Sequence, residues 1–461
     1  MGRREPAPAG AAQPRPECAS GDGHVPGESS ADGAGLAVGS PRPRRGARHG
    51  PGDPARGAAE DLRSLLHHEA TRRGKRPGAL RLLRHCHRAG GCAPGRELRR
   101  GRRLVRHRAA ARGARRLTSW RAVALLLALL ATGCAGVGAP VAGAPAHHRE
   151  RGYANLNPSH VTAGAWTRFT FFVSRVWAST FTPRTANFPQ VASDLGTIHD
   201  NRGAVTVTWV GHATLLIQLD GVNILTDPHW SGRASPVSFA GPRRVSAPGL
   251  RFEDLPPIHA VVISHDHYDH LDEATVRRLA AEHRPRFFVP LGVKQWFADV
   301  GITDVDELDW WGKRELRGLM FTCVPAQHFS GRTLWDRNRR LWSGWVVAGR
   351  ARRLYFAGDS AYFDGFKEIG ARLGPFDLAA VPIGAYVPAV IMKASHTTPE
   401  EALRALADVR GQRLVPIHWG TFDLAEEPLE EPPQRLIAEA RRLRLDLDRV
   451  WILKHGETRR W

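Results

Sequence analysis

"VVISHDHYDHLDEAT", residues 261–275, sets three histidines and two aspartates within six positions, directly after an apolar run. The run "AVVIS" (260–264) reads as a short buried strand, so His265, His267, Asp269 and His270 stand on a loop at its carboxyl end. Imidazole nitrogens and carboxylate oxygens are the borderline ligands that suit Zn²⁺. His265 and His267 are two apart and can point to one side, while Asp269 and His270 can turn toward a neighbouring position. Four ligands so close together favour two adjacent metals over one. A solvated polar loop is the bland alternative, and it gives no reason for H-x-H-x-D-H to follow a buried strand.

Outward from this loop, other polar residues also terminate apolar runs. His328 ends "FTCVPAQH", Asp359 ends "RRLYFAGD" and His418 ends "RLVPIH". Each is a candidate ligand where a sheet edge opens to a site. "AVTVTWVG" and "ATLLIQLDGVNILTDP" read as strands, with a hairpin turn at Asp220-Gly221. "RFFVP", "LRGLMFTCVPAQH", "LWSGWVVAG", "RRLYFAGDS" and "RLVPIHWG" read as further strands. "DEATVRRLAAEH", "GVKQWFADVG", "PEEALRALADVRG" and "PPQRLIAEARRLRL" read as helices, with Pro399 in a first turn and Gly411 as a stop. Hairpins followed by strand–helix alternation predict an α/β protein with mixed sheets.

With His328, Asp359 and His418 added, the pattern resembles that of the metallo-β-lactamase-fold hydrolases. Within them it resembles the zinc-dependent phospholipases D that hydrolyse N-acyl-phosphatidylethanolamine, and their bacterial relatives. The likeness runs through "WVGHATLLI", "ISHDHYDHLD", "PAQHFSGRTLWDRNRRLWSGWVV", "FAGDSAYFDGFKEIGARLGPFDLAAVPIGAY", "PEEALRALADV", "IHWGTF" and "KHGETRRW", from about Gly152 to the end. It implies an αββα sandwich of two mixed sheets holding two zinc ions. One zinc would take His265, His267, His328 and Asp359, the other Asp269, His270, His418 and the bridging Asp359. Asp227, in "ILTDPHW", corresponds to an aspartate that orients ligands. His396, in "MKASHTTPEE", matches a histidine near the family's site, the alternative being a surface histidine at a helix start. His212, in "WVGHAT", also matches and is read as structural or orienting. The implied chemistry is in-line attack of zinc-activated water on phosphorus. Cleavage on the headgroup side releases phosphatidic acid and an N-acylethanolamine, with Asp269 or His396 serving the leaving alkoxide. Asp359, Asp269 and His396 are thus the expected catalytic residues. Two rivals stand beside this reading: a lactonase or other phosphodiesterase of the same fold, and a non-catalytic envelope lipoprotein.

The net charge of +21 is unevenly spread. Residues 1–121 hold 27 Arg and Lys against 10 Asp and Glu, while the remaining 340 residues hold 39 against 35. The basic character therefore belongs to the N-terminal quarter. Residues 1–114, rich in Arg, Gly and Pro, lack apolar periodicity apart from "AAEDLRSLLHHEA" and are expected to be disordered, not a nucleic-acid-binding tail. "RRLTSWRAVALLLALLATGC" (115–134) reads as a secretory signal whose apolar core, about ten residues, is too short to span a bilayer. Its late position predicts a true start near Val105 or Leu117. Its end resembles a bacterial lipobox, which makes Cys134 the expected lipid attachment site and the cell envelope the expected location, ordinary secretion being the alternative. Residues 135–159 are expected to be a flexible tether and 160–461 the hydrolase domain. Cys323 is the one cysteine after Cys134, so the fold rests on its core and not on disulfides. "WTRFTFFVSRVW" (166–177) interleaves aromatics with Arg168 and Arg175; it suits either an interfacial segment touching lipid or a helix packed on the sandwich.

Overall fold

The computed structural model describes residues 136–157, 163–201, 203–350 and 352–461. The basic extension 1–114, the signal segment 115–134 and Cys134 lie outside the described residues. Two short strands, β1 (His148–Arg149) and β2 (Gly152–Tyr153), pair antiparallel. β3 (Thr206–Gly211), β4 (Thr214–Leu219), β5 (Val222–Thr226), β6 (Ala260–Val262), β7 (Arg286–Pro290) and β8 (Val305–Leu308) belong to a first large sheet. β9 (Lys313–Leu316), β10 (Leu319–Val324), β11 (Gly344–Ala348), β12 (Arg353–Phe356), β13 (Phe376–Pro382) and β14 (Gly411–Ile417) make a second. β15 (Thr458–Arg460) returns to pair with β3. Strand order is β15-β3-β4-β5-β6-β7-β8 in the first sheet and β14-β13-β12-β11-β10-β9 in the second. Both sheets are mixed: antiparallel from β3 to β5 and β9 to β12, parallel from β5 to β8 and β12 to β14.

The helices are α1 (Ala165–Phe181), α2 (Leu195–His199), α3 (Glu273–Glu282), α4 (Val293–Asp299), α5 (Gly365–Leu373), α6 (Ala389–Met392), α7 (Pro399–Asp408) and α8 (Glu431–Arg442). Period-two alternation decides what each strand faces. Along β4, Leu215, Ile217 and Leu219 join a core that includes Phe321, Trp345 and Val347 of the second sheet, while Leu216 joins the cluster beneath α3 and α4 with Val276, Leu279 and Phe297. β13 is buried at all seven positions, as a parallel strand covered on both faces must be; α7 packs over β13 and β14. Helices therefore cover the outer face of each sheet, giving the αββα sandwich.

Two local expectations are revised. "LRGLMFTCVPAQH" is not one strand but a hairpin arm: Arg317 and Gly318, at φ +52° and +80°, turn β9 back onto β10. Nor is the described part of the expected tether a free linker. His147 stacks on Trp310 with ring centroids 4.1 Å apart, and the Nε2 atoms of His147 and His148 lie 2.6 and 2.8 Å from the two Asp309 oxygens. A Gly/Ala/Pro-rich composition describes residues 136–146 but not these anchors, which lie more than 160 positions apart in sequence. Arg175 of α1 and Arg184, just past its end, both bind the Asp423 carboxylate. Most of the α1 aromatic side chains stay in solvent, with Trp166, Phe172 and Trp177 at 69%, 60% and 64% exposure. Among the described residues no helix is long and apolar enough to cross a membrane.

Candidate metal centre

The candidate residues converge where strands of both sheets end. Asp227 follows β5, the 265–270 loop follows β6, His328 follows β10, Asp359 follows β12 and His418 follows β14. The backbone is unusual there: His212, Asp227 and His418 have φ of +52°, +35° and +62°, a region that non-glycine residues occupy at a cost of about 1–3 kcal/mol each. Gly358, at φ +58°, fits between Ser264 and Ser343, where a Cβ would meet Ser264 Cβ at 2.5 Å. Glycine is thus what lets the β12 end approach the β6 end.

The side chains fall into two groups that meet at one carboxylate. In the first, His265 Nε2 lies 2.8 Å from His267 Nδ1, which lies 3.2 Å from His328 Nε2. In the second, Asp269 Oδ2 lies 3.3 Å from both His270 Nε2 and His418 Nε2. Asp359 Oδ2 stands between them, 3.2 Å from His270 Nε2, 3.0 Å from His418 Nε2 and 3.8 Å from His328 Nε2. His396 Nδ1 is 3.8 Å from the same oxygen. All seven residues expected as ligands are therefore brought together, with His396 beside Asp359. His212 also reaches the cluster, its Nε2 2.9 Å from Asp269 Oδ2.

The contacts fix tautomers and orientation. Asp227 is fully buried; its carboxylate accepts from Ser264 N (2.7 Å) and Ser264 Oγ (2.6 Å) and meets His270 Nδ1 at 2.7 Å. His328 Nδ1–H donates to the Ser395 carbonyl at 2.8 Å. With Nδ1 so engaged, each imidazole turns Nε2 into the site. Ser264 and Ser395 escaped the sequence reading. Ser264 directly precedes the histidine motif, which is a usable signal; Ser395 acts through its main chain, for which sequence carries none.

The electrostatics favour added positive charge. Burial opposes the charged form of His270, but Asp359, Asp269 and Asp227 outweigh it and hold that imidazole well above its ordinary value. Burial likewise opposes charge on His418, which Asp359 and Asp269 push up to about 9. Burial, then His270, His267 and His328, hold His265 well below its ordinary value. Burial alone would raise Asp359, yet His270 and His418 keep it strongly acidic. Asp359 Oδ1 is buried and makes no hydrogen bond. Buried lone pairs without a donor are costly, and a cation satisfies them. The donor set of imidazoles and carboxylates fits a divalent metal of the zinc type.

This site on an αββα sandwich defines a class, and the comparisons agree with it. Residues 222–419 match the family model described as a beta-lactamase superfamily domain. The chain belongs to the metallo-β-lactamase-fold hydrolases and is an enzyme of their metal-dependent hydrolase class. It is 45% identical over 251 residues to N-acyl-phosphatidylethanolamine-hydrolyzing phospholipase D 1 of Caenorhabditis elegans, a match covering 52% of this chain and 70% of that protein. It is 48% identical over 241 residues to an uncharacterized protein of Mycobacterium tuberculosis, covering 51% of this chain and 64% of the other. It is 31% identical to a UPF0173 metal-dependent hydrolase of Methanopyrus kandleri, covering 55% of this chain and 98% of that one.

Proposed function

We propose that the protein is a dinuclear zinc phosphodiesterase of phospholipase D type, acting on N-acyl-phosphatidylethanolamine-like phospholipids. The observation that carries this reading is Asp359 Oδ2 set between two ligand groups whose imidazoles come from the ends of β6, β10 and β14. His265, His267, His328 and Asp359 would hold one zinc; Asp269, His270, His418 and Asp359 the other. When bound, such a pair lowers the pKa of water toward about 7 and neutralises charge growing on phosphoryl oxygens. The chain's own residues do the rest. Asp227 holds His270 in one tautomer. Water's oxygen adds to phosphorus as the bond to the ethanolamine oxygen breaks. The departing alkoxide takes up the proton that the attacking water gives up, passed on beside Asp359, where His396 Nδ1 is buried without a hydrogen-bond partner. Phosphatidic acid and N-acylethanolamine are the products.

The substrate class rests on the 45% identity to the nematode phospholipase D. It is supported by the exposed aromatic residues of α1, which suit contact with a lipid surface. Attachment through a lipidated Cys134 would bring the enzyme to that surface in the cell envelope. The test is purified protein assayed on N-acyl-phosphatidylethanolamine, phosphatidylcholine and a lactone panel, with metal quantified. Expected are close to two zinc equivalents, phosphatidic acid as a product, and loss of rate on chelation with recovery on zinc addition. Turnover of lactones alone would replace the substrate assignment, and full rate in a metal-free preparation would refute the zinc mechanism.

A further inference from the structure

The segment before the sandwich reaches the metal centre through one side chain. His147 and His148 anchor it at Asp309, and Tyr153 N–H donates to the Asn338 carbonyl at 2.9 Å. Asn155 follows. Its Nδ2–H donates to the His328 carbonyl at 2.8 Å, and its Oδ1 accepts from the His328 backbone N–H at 3.2 Å and from Trp342 Nε1–H at 3.0 Å. His328 lies four residues past the end of β10, where its main chain has left the sheet ladder. The Asn155 amide pairs with both of its backbone groups as a neighbouring strand would. Only this amide orientation fits, because the flipped one would set NH₂ against two donors.

The requirement is specific to asparagine. Alanine offers neither group, aspartate keeps the acceptor but sets a charged oxygen against the His328 carbonyl, and glutamine is one methylene longer. The imidazole of His328 is fixed separately by the Ser395 carbonyl. Backbone and ring are thus held by segments far apart in the chain, and the backbone half comes from within the expected tether 135–159.

We propose that Asn155 is a positioning residue for His328, and that the anchored strap 147–155 is a working part of the metal centre. This rests on the reading of His328 as a ligand. The test is the full chain, metal-depleted and titrated with Co²⁺, as wild type, Asn155→Ala, Asn155→Asp and Leu156→Ala. Leu156 is the exposed strap neighbour. Readouts are stepwise affinity, the cobalt d–d spectrum, kcat/KM and the thermal midpoint of the metal-free form. Expected for Asn155→Ala is an affinity loss of about 10–100-fold for one cobalt equivalent, the other unchanged. Its spectrum should shift and kcat/KM fall by a similar factor. Asn155→Asp, which is isosteric and keeps two acceptor contacts but turns a carboxylate oxygen onto the His328 carbonyl, should show the same changes in affinity and spectrum. It also stands in if the alanine variant does not fold. Leu156→Ala should match wild type throughout. Wild-type affinity and spectrum in Asn155→Asp, or equal shifts in it and Leu156→Ala, would overturn the proposal. Failure of the wild type itself to take up two cobalt equivalents would instead refute the dinuclear reading, so the two failures are distinct.

Discussion

At the scale of single residues, the centre depends on a few charges placed where water cannot compensate them. Asp359 is buried, and four imidazole nitrogens lie within 3.8 Å of its Oδ2. Asn has nearly the same shape but no charge, and it can offer only one acceptor oxygen. Asp359→Asn should therefore lose at least one metal equivalent, and its rate should fall on the order of 100-fold or more. Metal stoichiometry read beside initial rate checks this. Retention of both metals at near-normal rate would mean that Asp359 bridges nothing and merely ends its strand.

Elements matter through where their ends fall. β6 and β12 belong to different sheets, yet Ser264 and Gly358 touch just beyond them, with Ser343 N–H donating to the Ser264 carbonyl at 2.8 Å. Gly358→Ala would push this contact apart and displace Asp359 from His265. Together with backbone strain at φ +58°, the cost is roughly 1–3 kcal/mol. Gly301 makes the useful comparison: its φ is +80°, but a Cβ there meets nothing within 4 Å. Gly301→Ala should lower stability by about 1–2 kcal/mol and spare activity, whereas Gly358→Ala should lower both stability and metal content. Denaturant midpoints and zinc analysis separate the cases; equal activity in the two variants would mean that the close approach is irrelevant to the site.

On the scale of the whole molecule, charge and apolar surface are segregated. Most of the net positive charge lies in residues 1–121, and the exposed aromatics of α1 lie beside the Asp423 ion pairs. If Cys134 carries lipid, stable attachment comes from the acyl chains, with α1 adding interfacial contact. Cys134→Ser should then shift the protein from the membrane to the soluble fraction, or leave an unprocessed precursor visible by mass. Fractionation of the native host expressing each form measures it, and an unchanged distribution with normal processing would remove the lipoprotein proposal.

What the sequence by itself determined was local. H-x-H-x-D-H after "AVVIS", and the polar residues ending "FTCVPAQ", "RRLYFAG" and "RLVPI", stood out because strand periodicity and ligand chemistry are read over a handful of neighbours. The Asp220-Gly221 turn was legible for the same reason, and both residues do adopt positive φ, +50° and +79°. The tertiary structure alone decided how these ends meet: that Asp359 faces both histidine groups, that Ser395 orients His328 through a carbonyl, and that Asn155 reaches the His328 main chain from 173 positions away. Main-chain groups have no sequence identity, and long-range pairing depends on the twist and order of two packed sheets. The sequence therefore marked residues 135–159 as a tether, while the anchors within them, His147 and His148, became visible only once Asp309 and Trp310 were folded against them.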